Sequence, residues 1–137
     1  MVDYLIKAQI RNPRARTFAF RAQKTMYGGR RVAVGDTIFL FSSENDGGPG
    51  LIARGIVTSA KPTPRKRGVA RQTPRVSLTV RRVKFAKRRL GRAQLRPFNN
   101  WHDGRPETEL NFKFYRQATN KIGAITPAAA KYIGTYF

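Results

Sequence analysis

Five residues, 37–41 (TIFLF), constrain the fold of this 137-residue chain more than any others. The run is short, β-branched and aromatic, which is how a strand buried on both faces reads. Gly35-Asp36 sets a turn directly before it, and Ser42-Ser43 ends it. A polar tip, ENDGGPG, occupies 44–50, and a second strand is expected at about 51–59. The central strand therefore ends in paired hydroxyls beside a loop. Binding residues concentrate at such positions on a rigid sheet. An ordinary hairpin with a solvated tip reads the same way.

The remaining segments supply partners for this pair. Residues 3–10 (DYLIKAQI) read as a strand, with Tyr4, Ile6 and Ala8 on one face and Leu5 and Lys7 on the other. Residues 11–16 form a basic turn around Pro13. Residues 17–27 are ambiguous between an alternating strand and one or two helical turns, and Gly28-Gly29 ends them. Residues 61–75 combine three prolines, a glycine and a run of arginines and lysines, which predicts a basic loop. Residues 75–87 are the longest strand candidate. Val76, Leu78 and Val80 share a face, and then the apolar phase slips to Val83 and Phe85, which predicts a β-bulge at Arg81-Arg82. Leu90 and Leu95 tuck in from a basic stretch. Residues 110–116 alternate as a strand with Leu110, Phe112 and Phe114 on one face, and a polar connector at 117–121 leads to a strand at 122–125. Thr126-Pro127 is an N-cap with Pro at the first helical position, which starts a C-terminal helix burying Tyr132, Ile133 and Tyr136. The expectation is one α+β domain spanning 1–137, a mixed and mostly antiparallel sheet curled on itself.

Function enters through charge. Lys and Arg number 28 against 7 Asp and Glu, a formal net charge of +21. No acid occurs between Asp46 and Asp103, an interval that holds fifteen of the basic residues. Such a field attracts polyanions, and nucleic acid is the leading partner because phosphate neutralisation supplies affinity regardless of sequence. The alternatives are an anionic membrane surface, or the solvated charge of a basic proteome with no partner. The phosphate-binding candidates are Arg65, Lys66, Arg67 and Arg71 of the loop, with Arg81, Arg82, Lys87, Arg88 and Arg89 after it. No window supports a membrane span or a signal peptide, and a cytoplasmic location is expected.

Other chemistries find little support. With no Cys and one His, thiolate and zinc-thiolate sites are excluded and no cofactor or metal is expected. A P-loop, a GxGxxG and a nucleophile elbow are all absent. Glu107 and Glu109 would share a face of an extended segment, which reads more simply as two solvated acids than as an acid–base pair. Trp101, Phe41, Phe98 and Tyr115 are available for stacking, while Ser42, Ser43, Asn99, Asn100, Gln117 and Asn120 can read base edges. Phe39, Phe85, Phe112 and Phe114 are assigned to the core.

Three pieces in order resemble the EVE domain of the PUA-like superfamily, related to YTH and ASCH domains. Tyr4-Leu5-Ile6-Lys7 resembles its opening strand. The run from Gly35 to Ser43 resembles its G-D-x-V-hydrophobic-F-Y-H-S strand, with Gly50-Leu51-Ile52-Ala53 resembling the strand after it. Phe114-Tyr115-Arg116-Gln117, then 122–127, resemble the closing segment, strand and helix. The sequence departs from the pattern at Tyr4 (Trp in the family), Ala8 (a hydroxyl residue), Ser42 (His) and Lys61-Pro62, where an acid would follow the second strand. The resemblance implies a PUA-like pseudo-barrel with short helices and a pocket for one nucleobase, often modified. Carried over by position, Lys7, Phe41, Ser42, Ser43, Arg116 and Gln117 line or support that pocket; chemistry and chain position add Trp101 and Asn120. The expected function is a non-catalytic reader of a modified base in DNA or RNA. The alternatives are a small amidohydrolase acting on a modified nucleoside, using Lys7 with Glu44 or Glu109, and a charge-driven structural RNA-binding protein.

Overall fold

The computed structural model describes residues 2–137. Six strands close into a barrel: β1 (Asp3–Ala8), β2 (Thr17–Met26), β3 (Thr37–Ser42), β4 (Gly50–Pro62), β5 (Arg75–Phe85) and β6 (Lys121–Ile125). Around the ring the order is β1-β3-β4-β5-β2-β6. The β1–β3 and β2–β6 pairs are parallel and the rest are antiparallel. Three short α-helices among the described residues pack outside the barrel: α1 (Arg92–Leu95), α2 (Pro106–Asn111) and α3 (Pro127–Gly134). The barrel with its terminal helix is the curled α+β sheet expected from the sequence.

Two apolar clusters explain the patterning. The barrel interior takes Tyr4, Ile6 and Ala8 of β1, Ile38 and Leu40 of β3, and Val76, Leu78 and Val80 of β5. The outer face of β1, β3 and β6 presents Leu5, Phe39, Phe41 and Ile125 to Leu90, Leu95, Leu110, Phe114, Ala129 and Ile133. Strands covered on both sides read as unbroken apolar runs. Most of β5 is covered on one side only, and there the sequence alternates. Thr126 caps α3 as expected, its hydroxyl accepting from the Ala129 N–H, with Pro127 at the first helical position.

Several expectations are corrected. Residues 17–26, which the sequence leaves open between strand and helical turns, form a strand, with its register broken between Phe20 and Gln23. The bulge is held because Ala22 N–H donates to Ser77 Oγ at 2.9 Å and Arg75 donates to the Ala22 carbonyl at 2.9 Å. In β5 the slip lies at Val83, just beyond Arg81-Arg82: Arg54 pairs with Lys84 and Gly55 with Arg82. The register slips there, but it does not return Val83 and Phe85 to the core: they are 48% and 41% exposed, so Phe85 is not core.

Residues 110–116 are helical, not a strand. Pro106 starts α2, Glu107 and Glu109 occupy its first turn, and a wide π-type turn, Phe112–Arg116, continues it. Leu110 and Phe114 are four apart and share the buried face. Phe112 points away from them and is 36% exposed, so it too is not core. A Cβ at Gly123 would lie 2.9 Å from the Phe114 ring, so only glycine lets that ring rest on β6.

Candidate nucleic-acid interface

Parallel pairing of β1 with β3 brings their C-terminal ends together, with Lys7 beside Phe41 and Ala8 beside Ser42. Antiparallel pairing of β6 puts Lys121 beside Lys7. Three predicted positions, Lys7, Ser42 and Ser43, therefore meet at one rim of the barrel, and the segment after the π-type turn closes over it.

Both lysines are buried. The Lys7 ammonium donates to the Phe114 carbonyl at 2.7 Å and the Ala118 carbonyl at 3.1 Å. Lys121 donates to the carbonyls of Lys113 at 2.8 Å and Gln117 at 2.7 Å. These carbonyls lie along and just after a helix end, where no helical N–H reaches them and cations are favoured. Desolvation, with Arg92 nearby, lowers the Lys7 pKa to about 8 against a partial offset from Glu44 and Asp46. Desolvation, with Lys7 and Lys24 nearby, lowers that of Lys121 to about 8 as well.

The turn after β3, Glu44–Asp46, is tied to this segment from the other side. Tyr115 OH donates to Glu44 Oε1 at 2.8 Å, and the same oxygen accepts from Arg92 N–H at 2.9 Å. The Lys7 ammonium lies 4.8 Å from the centre of the Tyr115 ring. Burial and the Glu44 carboxylate push the Tyr115 hydroxyl pKa well up, so it stays a donor. Asn45 Nδ2 donates to the Ala118 carbonyl at 2.8 Å, and Asn120 Nδ2 to Asp46 Oδ2 at 3.2 Å. The Asp46 carboxylate fixes the Asn120 amide this way round, because the opposite orientation would set two acceptors together.

On the two segments that this clamp joins, two buried side-chain polar atoms lack a hydrogen-bond partner among the described residues: Ser43 Oγ and Asn120 Oδ1. Ser42 differs from its neighbour. A Cβ on Gly48 would collide with its hydroxyl and carbonyl, so the glycine backbone covers it closely. Phe41 lies beneath the rim in the outer apolar cluster, where it supports the site without offering an open face.

Of the other predicted residues, Gln117 meets the rim through its carbonyl, held by Lys121 at 2.7 Å, and the rest lie elsewhere. Arg116 and Gln117 are exposed. The Arg116 guanidinium lies 5.1 Å from the Trp101 ring and 5.0 Å from that of Phe112. Trp101 meets Phe112 edge-on at 5.6 Å, on a different face of the π-type turn from Tyr115. Arg65, Lys66, Arg67 and Arg71 are exposed on the loop, which Gln72 folds back on itself by bonding Lys66 N–H at 3.0 Å and the Lys66 carbonyl at 2.8 Å. Arg81, Lys87, Arg88 and Arg89 are exposed. Arg88 also donates to the Thr135 carbonyl at 2.7 Å, and Arg82 donates to the Ala15 carbonyl at 3.0 Å.

Glu109, one of the two acids considered for a hydrolase, accepts from Lys113 at 2.9 Å and from Thr126 N–H and hydroxyl. It serves the start of α3 and not the barrel rim. Lys121 reads in the sequence only as the end of a polar connector, and no local signal there marks it as buried.

This architecture, a closed mixed barrel with short outer helices, is the PUA-like fold that the sequence resemblance implies. No protein-family model matches the sequence, and no curated protein does so significantly. Solved structures match over nearly the whole chain. One is human THYN1 in complex with DNA containing 5-methylcytosine, with a TM-score of 0.67 at 15% identity, covering 98% of this chain and 96% of that one. The DUF55 domain of human thymocyte nuclear protein 1 gives 0.65 at 15% identity, with 97% and 96% covered. A Pseudomonas putida protein gives 0.61 at 17% identity, with 97% of each chain covered. At these identities the likeness establishes the fold.

Proposed function

We propose that this protein binds nucleic acid and accepts a single modified nucleobase at the β1–β3 rim, without chemical conversion. The observation that carries the reading is the pair of orphaned buried atoms, Ser43 Oγ and Asn120 Oδ1, on either side of one clamp. Buried polar groups are nearly always paired, so orphans on the two segments that the Asn120–Asp46 bond joins fit a ligand that pairs them. A hydroxyl and an amide carbonyl suit the mixed donor–acceptor edge of a base. Access requires the side-chain bonds Asn45–Ala118 and Asn120–Asp46 to open, and both lie at the exposed rim. The net charge of +21 supplies attraction to the phosphates, and Trp101 with Arg116 offers a stacking face on the neighbouring side of the turn. That THYN1, of the same fold, was crystallised with 5-methylcytosine DNA favours a modified base.

The test is fluorescence anisotropy with matched DNA and RNA oligonucleotides carrying cytosine or 5-methylcytosine, within a wider panel of modified bases. One modified oligonucleotide should bind several-fold tighter than its unmodified match, and mass spectrometry should recover it unchanged. Ser43→Ala should abolish the preference. Equal affinity across the panel, or a preference that survives Ser43→Ala, overturns the reading.

A further inference from the structure

A second candidate lies at the end of the β3–β4 connection. Beyond the turn at Glu44–Asp46, the chain reaches Pro49 at the lip of an open groove of about 720 Å³, within the range of small-ligand sites. Leu51, Ile52 and Phe85 form its floor, and Arg14, Lys87 and Arg89 stand at its edge. No acidic side chain lines it among the described residues. Phe85 is large, aromatic and 41% exposed, an unusual place for such a ring.

The ring stands at the last residue of β5, just past the slip at Val83 where pairing with β4 loses its regular register. The segment is then held rigidly. Ala86 N–H donates to the Ile52 carbonyl at 2.9 Å, and Lys87 N–H to the Tyr136 carbonyl at 2.7 Å. The Arg82 guanidinium lies 4.0 Å from the centre of the Phe85 ring. It covers one face of the ring, and Phe85 lines the groove while Arg82 does not.

An aromatic plane backed by a cation, with three more cations at the edge, is complementary to one chemistry: a flat ring carrying phosphates. We infer that this groove binds an unpaired nucleotide of a single strand, its base on Phe85 and its flanking phosphates on Arg14, Lys87 and Arg89. Stacking and backbone charge together are how single strands are held without sequence preference. The groove and the β1–β3 rim share the β3–β4 connection, so one strand can place its read base in the rim and a neighbouring nucleotide here. The inference rests on the nucleic-acid reading above and adds to it a second subsite.

Phe85→Ala, Phe85→Trp and the pair Lys87→Gln with Arg89→Gln separate the possibilities, since all three positions are exposed. The probe is fluorescein-labelled, unmodified oligothymidylate, titrated at several salt concentrations. Phe85→Ala should weaken binding about ten-fold with the salt slope unchanged. Phe85→Trp should restore it. The double charge variant should lower the slope by about 0.7 for each phosphate it no longer neutralises. Wild-type affinity retained in both Phe85→Ala and the charge variant removes the groove and leaves the nucleic-acid reading standing. Failure of the wild-type protein to bind the oligonucleotide at all removes that reading too. Phosphatidylserine vesicles provide the contrast: if the variants lose vesicle binding but keep oligonucleotide binding, the groove is a membrane-docking surface and the inference is wrong.

Discussion

Ser43 carries a hydroxyl that folding buries without a partner. Leaving such a group unpaired costs about 1–3 kcal/mol, so removing it should not harm the fold. Ser43→Ala is expected to melt at the wild-type temperature or slightly above, while binding of the preferred base weakens about five-fold. Calorimetry and titration on one sample check both halves, and a clear loss of stability would show that the hydroxyl is structural. Two phenylalanines make the contrasting control. Phe114, 1% exposed against Gly123, should cost about 3–5 kcal/mol when truncated to Ala. Phe112, outward and 36% exposed, should cost less than half as much by chemical denaturation. The hydroxyl of Ser43 is legible in the sequence because it ends an apolar strand. Asn120 stands out there by chemistry and chain position, but its pairing with Asp46, 74 residues away, follows only from closing the barrel. Lys121 carries no signal at all.

Among the elements, the π-type turn depends on its lysines. Four carbonyls along and after it are held by the ammonium groups of Lys7 and Lys121, from neighbouring strands. Burial lowers both pKa values from 10.5 to about 8. Between about pH 8 and 10 the unfolded chain therefore keeps protons that the folded chain has released, and stability should rise with pH. Above pH 10 the raised Tyr115 pKa works the other way, because the unfolded chain ionises first. Melting temperatures across pH 7–10 should climb, and Lys7→Met should both lower the whole curve and flatten its rise. A wild-type curve that falls steadily from pH 8 would mean that the lysines are not desolvated as their burial requires. Elements also mark where sequence reasoning fails. Strands show in their apolar phase, down to the slip in β5. Residues 110–116 mislead because Leu110, Phe112 and Phe114 satisfy a two-residue period. The same spacing puts Leu110 and Phe114 on one helical face, and Pro106 and the two early glutamates settle the choice.

At the scale of the molecule, charge and fold are nearly independent. The barrel closes through apolar clusters on its two faces, while the strongest concentration of cations stands on segments that contribute little to either. The basic loop is the clearest case. Residues 63–74 are almost wholly exposed, and the ladder of β4 and β5 already ends at Pro62 opposite Val76. At the near end Thr63 N–H donates to the Arg75 carbonyl at 2.8 Å, and the anchor to the barrel lies at the far end, where Thr25 donates to the Pro74 carbonyl through its N–H at 3.1 Å and its hydroxyl at 2.7 Å. Deleting 63–72 keeps that anchor and leaves a short connection between the two strands. It removes Arg65, Lys66, Arg67 and Arg71. The shortened protein should fold with a similar melting temperature, since exposed loops tolerate such changes. Its binding to long nucleic acid should be weaker and less salt-sensitive, by about 0.7–0.9 in the log–log slope for each phosphate left without its cation. Binding of a free modified nucleoside at the β1–β3 rim should be untouched, because it draws on none of these cations. Titrations of the full and shortened proteins with duplex and with nucleoside, over the same salt series, measure all three quantities. An unchanged slope would place the phosphate-binding cations elsewhere on the surface, and loss of folded protein would make the loop part of the barrel's own support.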